Sequence, residues 1–215
     1  MSEMDWLAYL PALVQGASLT LVLTATSMIF GTAIGFPLAM MKLSRSPISR
    51  GIATVYGTLI RGLPLLVQIL LVYFAMPLVT GMRLPAVVAG AVAMALYTGG
   101  FLAEVFRAGI QAVERGQMEA GRSIGFGYWP TMRLIVLPQA FRMMLPNIVN
   151  QFTITLKNTS LLSVIGVTEL TMAGQNIYSM NFDTVRVLAL VGVIYLVIVI
   201  VAERLSALIE RKIDL

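Results

Sequence analysis

The chain has 215 residues, of which 58% are hydrophobic and 12% charged, and a mean hydropathy of +0.87; that excludes an ordinary soluble domain and places it in the membrane class. It contains no cysteine and no histidine, which rules out a disulfide framework or thiolate metal site and removes the commonest general base and zinc ligand. Its net charge of +5 is spread between apolar spans, so it reads as membrane topology and not as a nucleic-acid patch.

The first sixteen positions carry Glu3 and Asp5 but no Lys or Arg, unlike the positive start of a signal peptide. Trp6, Leu7, Leu10 and Leu13 suit either a short interfacial helix or a plain lead-in to the first span. That span, 17–41, gives ~37 Å of helix at about 1.5 Å per residue, enough to cross about 30 Å of hydrocarbon with some tilt. Gly16, Gly31 and Gly35 are places for close helix packing. Lys42, Arg45 and Arg50 follow in a short polar loop, which the positive-inside rule puts in the cytoplasm, with the N-terminus outside (periplasmic).

The second apolar region, 52–79, is interrupted at Arg61–Gln68. Gly62 and Pro64 predict a break at membrane depth, where freed backbone groups survive only inside protein or beside a water-filled cavity. A transport pathway and a packing kink both account for it. The third span, 86–106, ends near Glu104 and Arg107, which have the i,i+3 spacing of an intrahelical pair.

A charged loop at about 114–138 comes next. Glu119 is placed to pair with Arg122, and Gly121 and Gly125 are four apart. With Ala120 these predict a helix face almost free of side chains, open to another backbone. Pro130 and Pro138 limit the helix. The fourth region, 135–156, contains Pro146, Asn147, Asn150, Gln151, Thr153 and Thr155, too polar to face lipid and therefore interior. Lys157, Asn158, Ser160 and Glu169 extend it before a polar outer stretch, 173–183. The last span is 185–202, with Tyr195 inside it. Eleven of the fifteen basic residues fall on the proposed inside, so five spans with the C-terminus in the cytoplasm satisfy the rule. With no internal repeat and no low-complexity linker, residues 1–215 form one domain.

None of the three lysines closes a Gly-Lys-Ser/Thr loop, so the chain has no P-loop of its own. There is no HExxH, and without histidine no Ser-His-Asp or Cys-His constellation. No catalytic residue or metal ligand is assigned. The residues alone leave an ATPase-linked permease, a self-contained secondary transporter or channel, and a structural membrane subunit open.

The loop resembles the EAA loop of the membrane subunits of ABC importers. The match falls on Glu119, Ala120, Gly121, Gly125, Ile135, Leu137 and Pro138, with Gly121 where the family usually has Ala. IRGLPLLVQ, FLAEVFRAGIQAVERGQMEAGRSIG, VLPQAFRMMLPNIVNQF and LKNTSLLSVIGVTEL are likewise similar to the permeases of the polar amino acid uptake branch, glutamine-type above all. The resemblance implies an all-α, MetI-like importer fold of about five transmembrane helices in the bacterial inner membrane. It implies a second permease subunit, identical or paralogous, and a periplasmic solute-binding protein. It also implies separate ABC ATPase subunits that hold ATP and Mg and grip Glu119, Ala120, Gly121, Gly125, Leu137 and Pro138. This chain is then not an enzyme and needs no cofactor of its own. Arg61, Gln68, Lys157, Asn158, Ser160 and Glu169 become candidates for the substrate pathway. Related permeases often have Lys-Asp-Thr-Ser where this chain has Lys157-Asn158-Thr159-Ser160, which favours a neutral or acidic amino acid over a cationic one.

Overall fold

A computed structural model describes residues 6–213, and every regular element among them is helical. Helix α1 (Trp6–Leu43) runs without interruption through the lead-in and the first span. The expected boundary near residue 17 does not exist, because Pro11 sits inside the helix close enough to its start that few carbonyls lose a partner. Ser46 caps helix α2 (Pro47–Gly62), accepting from the Ser49 N–H at 3.4 Å, with Pro47 in the first turn where its fixed φ costs nothing.

The break in the second region falls at Leu63 and Pro64, after which the chain turns by 104°. It then continues through α3 (Leu65–Leu70), a π-helical turn (Leu71–Ala75) and α4 (Met76–Thr80). Helix α5 (Ala86–Ala112) is the most buried of the long helices. Two short helices, α6 (Arg115–Ser123) and α7 (Tyr128–Thr131), form an elbow that leads through a second π-helical turn (Met132–Val136) into α8 (Leu137–Asn158). A 3₁₀ segment (Thr159–Ile165) precedes α9 (Leu170–Asn181), and α10 (Thr184–Ile213) closes the fold.

Among the described residues, Tyr9–Leu43, Ala86–Ala112 and Thr184–Leu205 are long and apolar enough to cross a membrane, with the bent pair 47–80 as a fourth candidate. Helix α8 has 22 residues, about 33 Å at ~1.5 Å per residue, but its polar content keeps it out of that group. Helix α9 was not anticipated: it occupies the stretch read as polar outer loop. Ala173 and Ile177 are buried on one face of it with Leu13 of α1 and Val187 and Val191 of α10.

Helix α1 is the spine. Leu13 joins the cluster with α9 and α10; Leu23 joins Leu65, Ile69, Met94, Leu162 and Ile165; and Ala39 joins Leu102, Phe106, Met132, Val136, Ala140 and Met144. Small residues let α1 and α5 approach closely: a β-carbon on Gly35 would lie 2.8 Å from the Gly99 carbonyl oxygen. In lipid, where apolar side chains gain little by leaving the solvent, such packing replaces hydrophobic burial as the force between helices. The third cluster is the one that matters for the elbow, because it ties the C-terminal ends of α1 and α5 to the π turn Met132–Val136.

Candidate functional site

The elbow is built by one buried glycine and one left-handed glycine. Gly121 is packed so tightly that a β-carbon there would meet Thr131 Cγ2 at 2.5 Å and Ile135 Cδ1 at 2.8 Å. Helix α6 then stops in a Schellman turn: Phe126 N–H donates to the Gly121 carbonyl at 3.2 Å and Gly125 N–H to that of Arg122 at 3.0 Å. Gly125 takes φ +91°, a conformation that penalises any β-carbon. Thr131 anchors the second arm through a 2.9 Å hydrogen bond from its hydroxyl to the Gly127 carbonyl. Gln139 Nε2 holds α8 to α6, donating to Gln117 Oε1 at 3.1 Å and to the Ile135 carbonyl at 2.9 Å.

This geometry corrects the expected bare glycine face. The helix ends before Gly125, so the two glycines share no face, and Gly121 looks inward. Glu119 and Ala120 are exposed, with Ile124, Phe126 and Trp129. Leu137 is half-buried and Pro138 exposed at the start of α8. The expected Glu119–Arg122 pair does not form. Among the described residues, ion pairs join Glu104 to Lys42, Arg61 and Arg107, and Asp183 to Arg186, and none involves Glu119.

The pathway candidates separate into two groups. Arg61 is engaged on both sides: its Nη2 lies 3.0 Å from Glu104 Oε1 and its Nε donates to the Gly57 carbonyl at 3.1 Å. Glu104 thereby serves cations from α1, α2 and α5 at once. Gln68 is buried and donates to the Ile60 and Leu63 carbonyls at 2.7 and 2.9 Å, satisfying acceptors freed where Pro64 ends α2. Glu169 is fully buried and caps α9, accepting from Thr171 and Met172 N–H at 2.9 Å each and from the Tyr195 hydroxyl at 2.8 Å. A carboxylate there is held by the helix N-terminus. Within this chain all three are held by its own groups, Gln68 and Glu169 buried and Arg61 still more than a third exposed.

Lys157, Asn158 and Ser160 stay together at the junction of α8 with the 3₁₀ segment. Lys157 is exposed, the Asn158 side chain meets Tyr97, and the Ser160 hydroxyl donates to the Lys157 carbonyl at 2.8 Å. Asn147 and Asn150 are exposed on α8 as well, and with Lys157 they follow the i, i+3, i+10 spacing of one helix face. They were not singled out as site residues, although that spacing is visible in the sequence. The opposite face meets α5 through buried hydroxyls: Thr98 and Thr155 lie 3.3 Å apart, and Gln151 Nε2 donates to Thr155 at 3.4 Å. The fourth region is thus only half interior to this chain.

The family described as "Binding-protein-dependent transport system inner membrane component" matches residues 31–215. The chain belongs to this family. The permease is 35% identical over 214 residues to the glutamine transport system permease protein of Escherichia coli (strain K12), covering 98% of each. The crystal structure of an amino acid ABC transporter with histidines superposes with a TM-score of 0.90 at 36% identity over 99% of both chains. The MetNI methionine ABC transporter in an inward facing conformation shares the fold, with a TM-score of 0.82 at 19% identity over 99% of both chains. The permease is therefore a multi-pass inner-membrane subunit of an ABC importer with the MetI-like fold, and the self-contained transporter is set aside.

Proposed function

We propose that the permease forms half of an ATP-driven pathway for a polar amino acid. The observation that carries this is the exposed polar face of α8, Asn147, Asn150 and Lys157. A lipid-facing helix would pay several kcal/mol to hold such groups in hydrocarbon. They therefore face a second permease subunit, identical or paralogous, and the water-filled passage between the two. Lys157 is the cation placed to meet a substrate carboxylate, with Asn158 beside it. The names of the similar proteins, a glutamine permease and an amino acid transporter with histidines, support an amino acid substrate.

The elbow is the coupling surface. Separate ATPase subunits, which would hold ATP and Mg, grip the exposed side of α6 at Glu119 and Ala120, and the buried Gly121 transmits the movement to Thr131, Ile135 and α8 through Leu137 and Pro138. ATPase closure selects an outward-facing state and hydrolysis resets it. A solute-binding protein delivers substrate at the opposite surface, with the N-terminus outside and the C-terminus in the cytoplasm. The 1–215 chain acts as one domain in which α8 joins coupling surface to passage.

The test is reconstitution of the permease with its ATPase and binding protein in vesicles. ATP-dependent accumulation of a polar amino acid, reduced at least about tenfold by Lys157→Met, supports the assignment. Uptake that proceeds without ATP, or is indifferent to Lys157→Met, contradicts it.

A further inference from the structure

A recess of about 480 Å³ opens between the last turn of α1 and the elbow. Met40 and Leu43, the rings of Tyr128 and Trp129, and the two cations Arg45 and Arg122 line it. The rings of Tyr128 and Trp129 meet edge to face with centroids 5.4 Å apart, and Trp129 is nonetheless 68% exposed. No carboxylate lines the recess. Neither arginine forms an ion pair among the described residues, whereas Lys42 next to them does.

We propose that this recess binds the phosphate of an anionic phospholipid from the bordering leaflet, with Arg45 and Arg122 on the phosphate and the glycerol backbone against Trp129, Met40 and Leu43. Two guanidinium groups from different elements, with no acid between them, match the oxygens of a phosphodiester. The depth fits a lipid better than a soluble anion. Met40 and Leu43 belong to the last turn of a long apolar helix, beside Lys42, and an exposed tryptophan next to such an end is the usual occupant of the headgroup zone. A lining that combines apolar side chains with two cations matches a molecule with both characters. A lipid here would bridge α1 and the elbow without touching Glu119 or Ala120.

The purified permease–ATPase complex is titrated with phosphatidylglycerol and, separately, with phosphatidylcholine, and retained lipid is read by native mass spectrometry. Wild type prefers phosphatidylglycerol, Arg45→Gln weakens that lipid about fivefold, and Arg45→Gln with Arg122→Gln weakens it about twenty-fivefold, at roughly one elementary charge interaction per arginine. Phosphatidylcholine carries the same phosphodiester but also a choline cation that the arginines repel. It therefore binds more weakly in wild type and loses less than phosphatidylglycerol in both variants, and inorganic phosphate does not displace the lipid. Undiminished phosphatidylglycerol binding in both variants overturns the proposal, as does equal displacement by inorganic phosphate, which would make this a site for a soluble anion. Arg45 lies on the loop before α2, outside the elbow, so the single variant reads the site even where the double variant does not fold.

Discussion

The Tyr195 hydroxyl donates to Oε2 of Glu169 at 2.8 Å, joining the last membrane helix to the capping carboxylate of α9. Thr171 lies 3.1 Å from the same hydroxyl, so the contact is a small closed network with a charged acceptor. Tyr195→Phe removes a hydrogen bond to a charged group, costing about 1.5–3 kcal/mol. For a chain of this size the midpoint of thermal unfolding in detergent should fall by roughly 3–12 °C. A variant that unfolds at the wild-type temperature would show that Glu169 needs only the helix N-terminus.

Glu104 is shared by Lys42, Arg61 and Arg107. The side chain of Lys42 is 9% exposed, those of the two arginines more than a third, so most of the loss on removing the carboxylate comes from Lys42. Glu104→Gln should cost about 1–3 kcal/mol and Lys42→Met less, because Glu104 then keeps two partners. Combining them should recover part of the Glu104→Gln loss. Equal and additive losses in thermal unfolding would mean that the pairs do not interact.

At Gly121 two effects oppose. Alanine is the better helix former by about 1 kcal/mol, but its β-carbon would lie 2.5 Å from Thr131 Cγ2, and such overpacking costs about 1–3 kcal/mol. A β-branched threonine in a helix cannot turn its methyl away freely. Gly121→Ala should therefore shift the arms of the elbow and lower transport per ATP hydrolysed, while Gly121→Ala with Thr131→Ser, which deletes the methyl and keeps the hydroxyl bond to Gly127, should restore it. Transport-to-hydrolysis ratios of the single and double variants decide the point.

Asn158→Asp places a carboxylate beside exposed Lys157. Ranking glutamine, glutamate and arginine by uptake, the variant should move arginine up and glutamate down relative to wild type. An unchanged ranking would remove Asn158 from the passage.

The elements that could be read in the sequence are those set by local chemistry. Pro64 after Gly62 marked the break, and the polar content of 135–156 belongs to a helix that buries Gln151, Thr153 and Thr155 in this chain. The proposed coupling role of the loop came from the resemblance carried by Glu119, Ala120, Gly125, Leu137 and Pro138, while the elbow itself is set by Gly121 and Gly125. Polarity in an apolar region does not by itself mean access. Glu169 and Gln68 are polar because a helix start and a helix end must be satisfied inside protein, and only tertiary structure brings Tyr195 or the Ile60 carbonyl to them. Helix α9 was missed because AGQNIYSMNFD looks like loop; Glu169 as its N-cap, followed by Leu170, Ala173 and Ile177 at helical spacing, was the available signal. The glycine face failed because one residue, Gly125 at positive φ, ends the helix that would have displayed it.

The elbow is the proposed grip of the ATPase. The most direct test is to co-express the permease with its candidate ATPase, reconstitute the complex, and measure hydrolysis and uptake together for wild type, Glu119→Lys and Gly125→Asp. Loss of ATPase association, or hydrolysis no longer linked to uptake, with the permease still unfolding near the wild-type temperature, is the predicted result. Unchanged hydrolysis and unchanged uptake in both variants would contradict it.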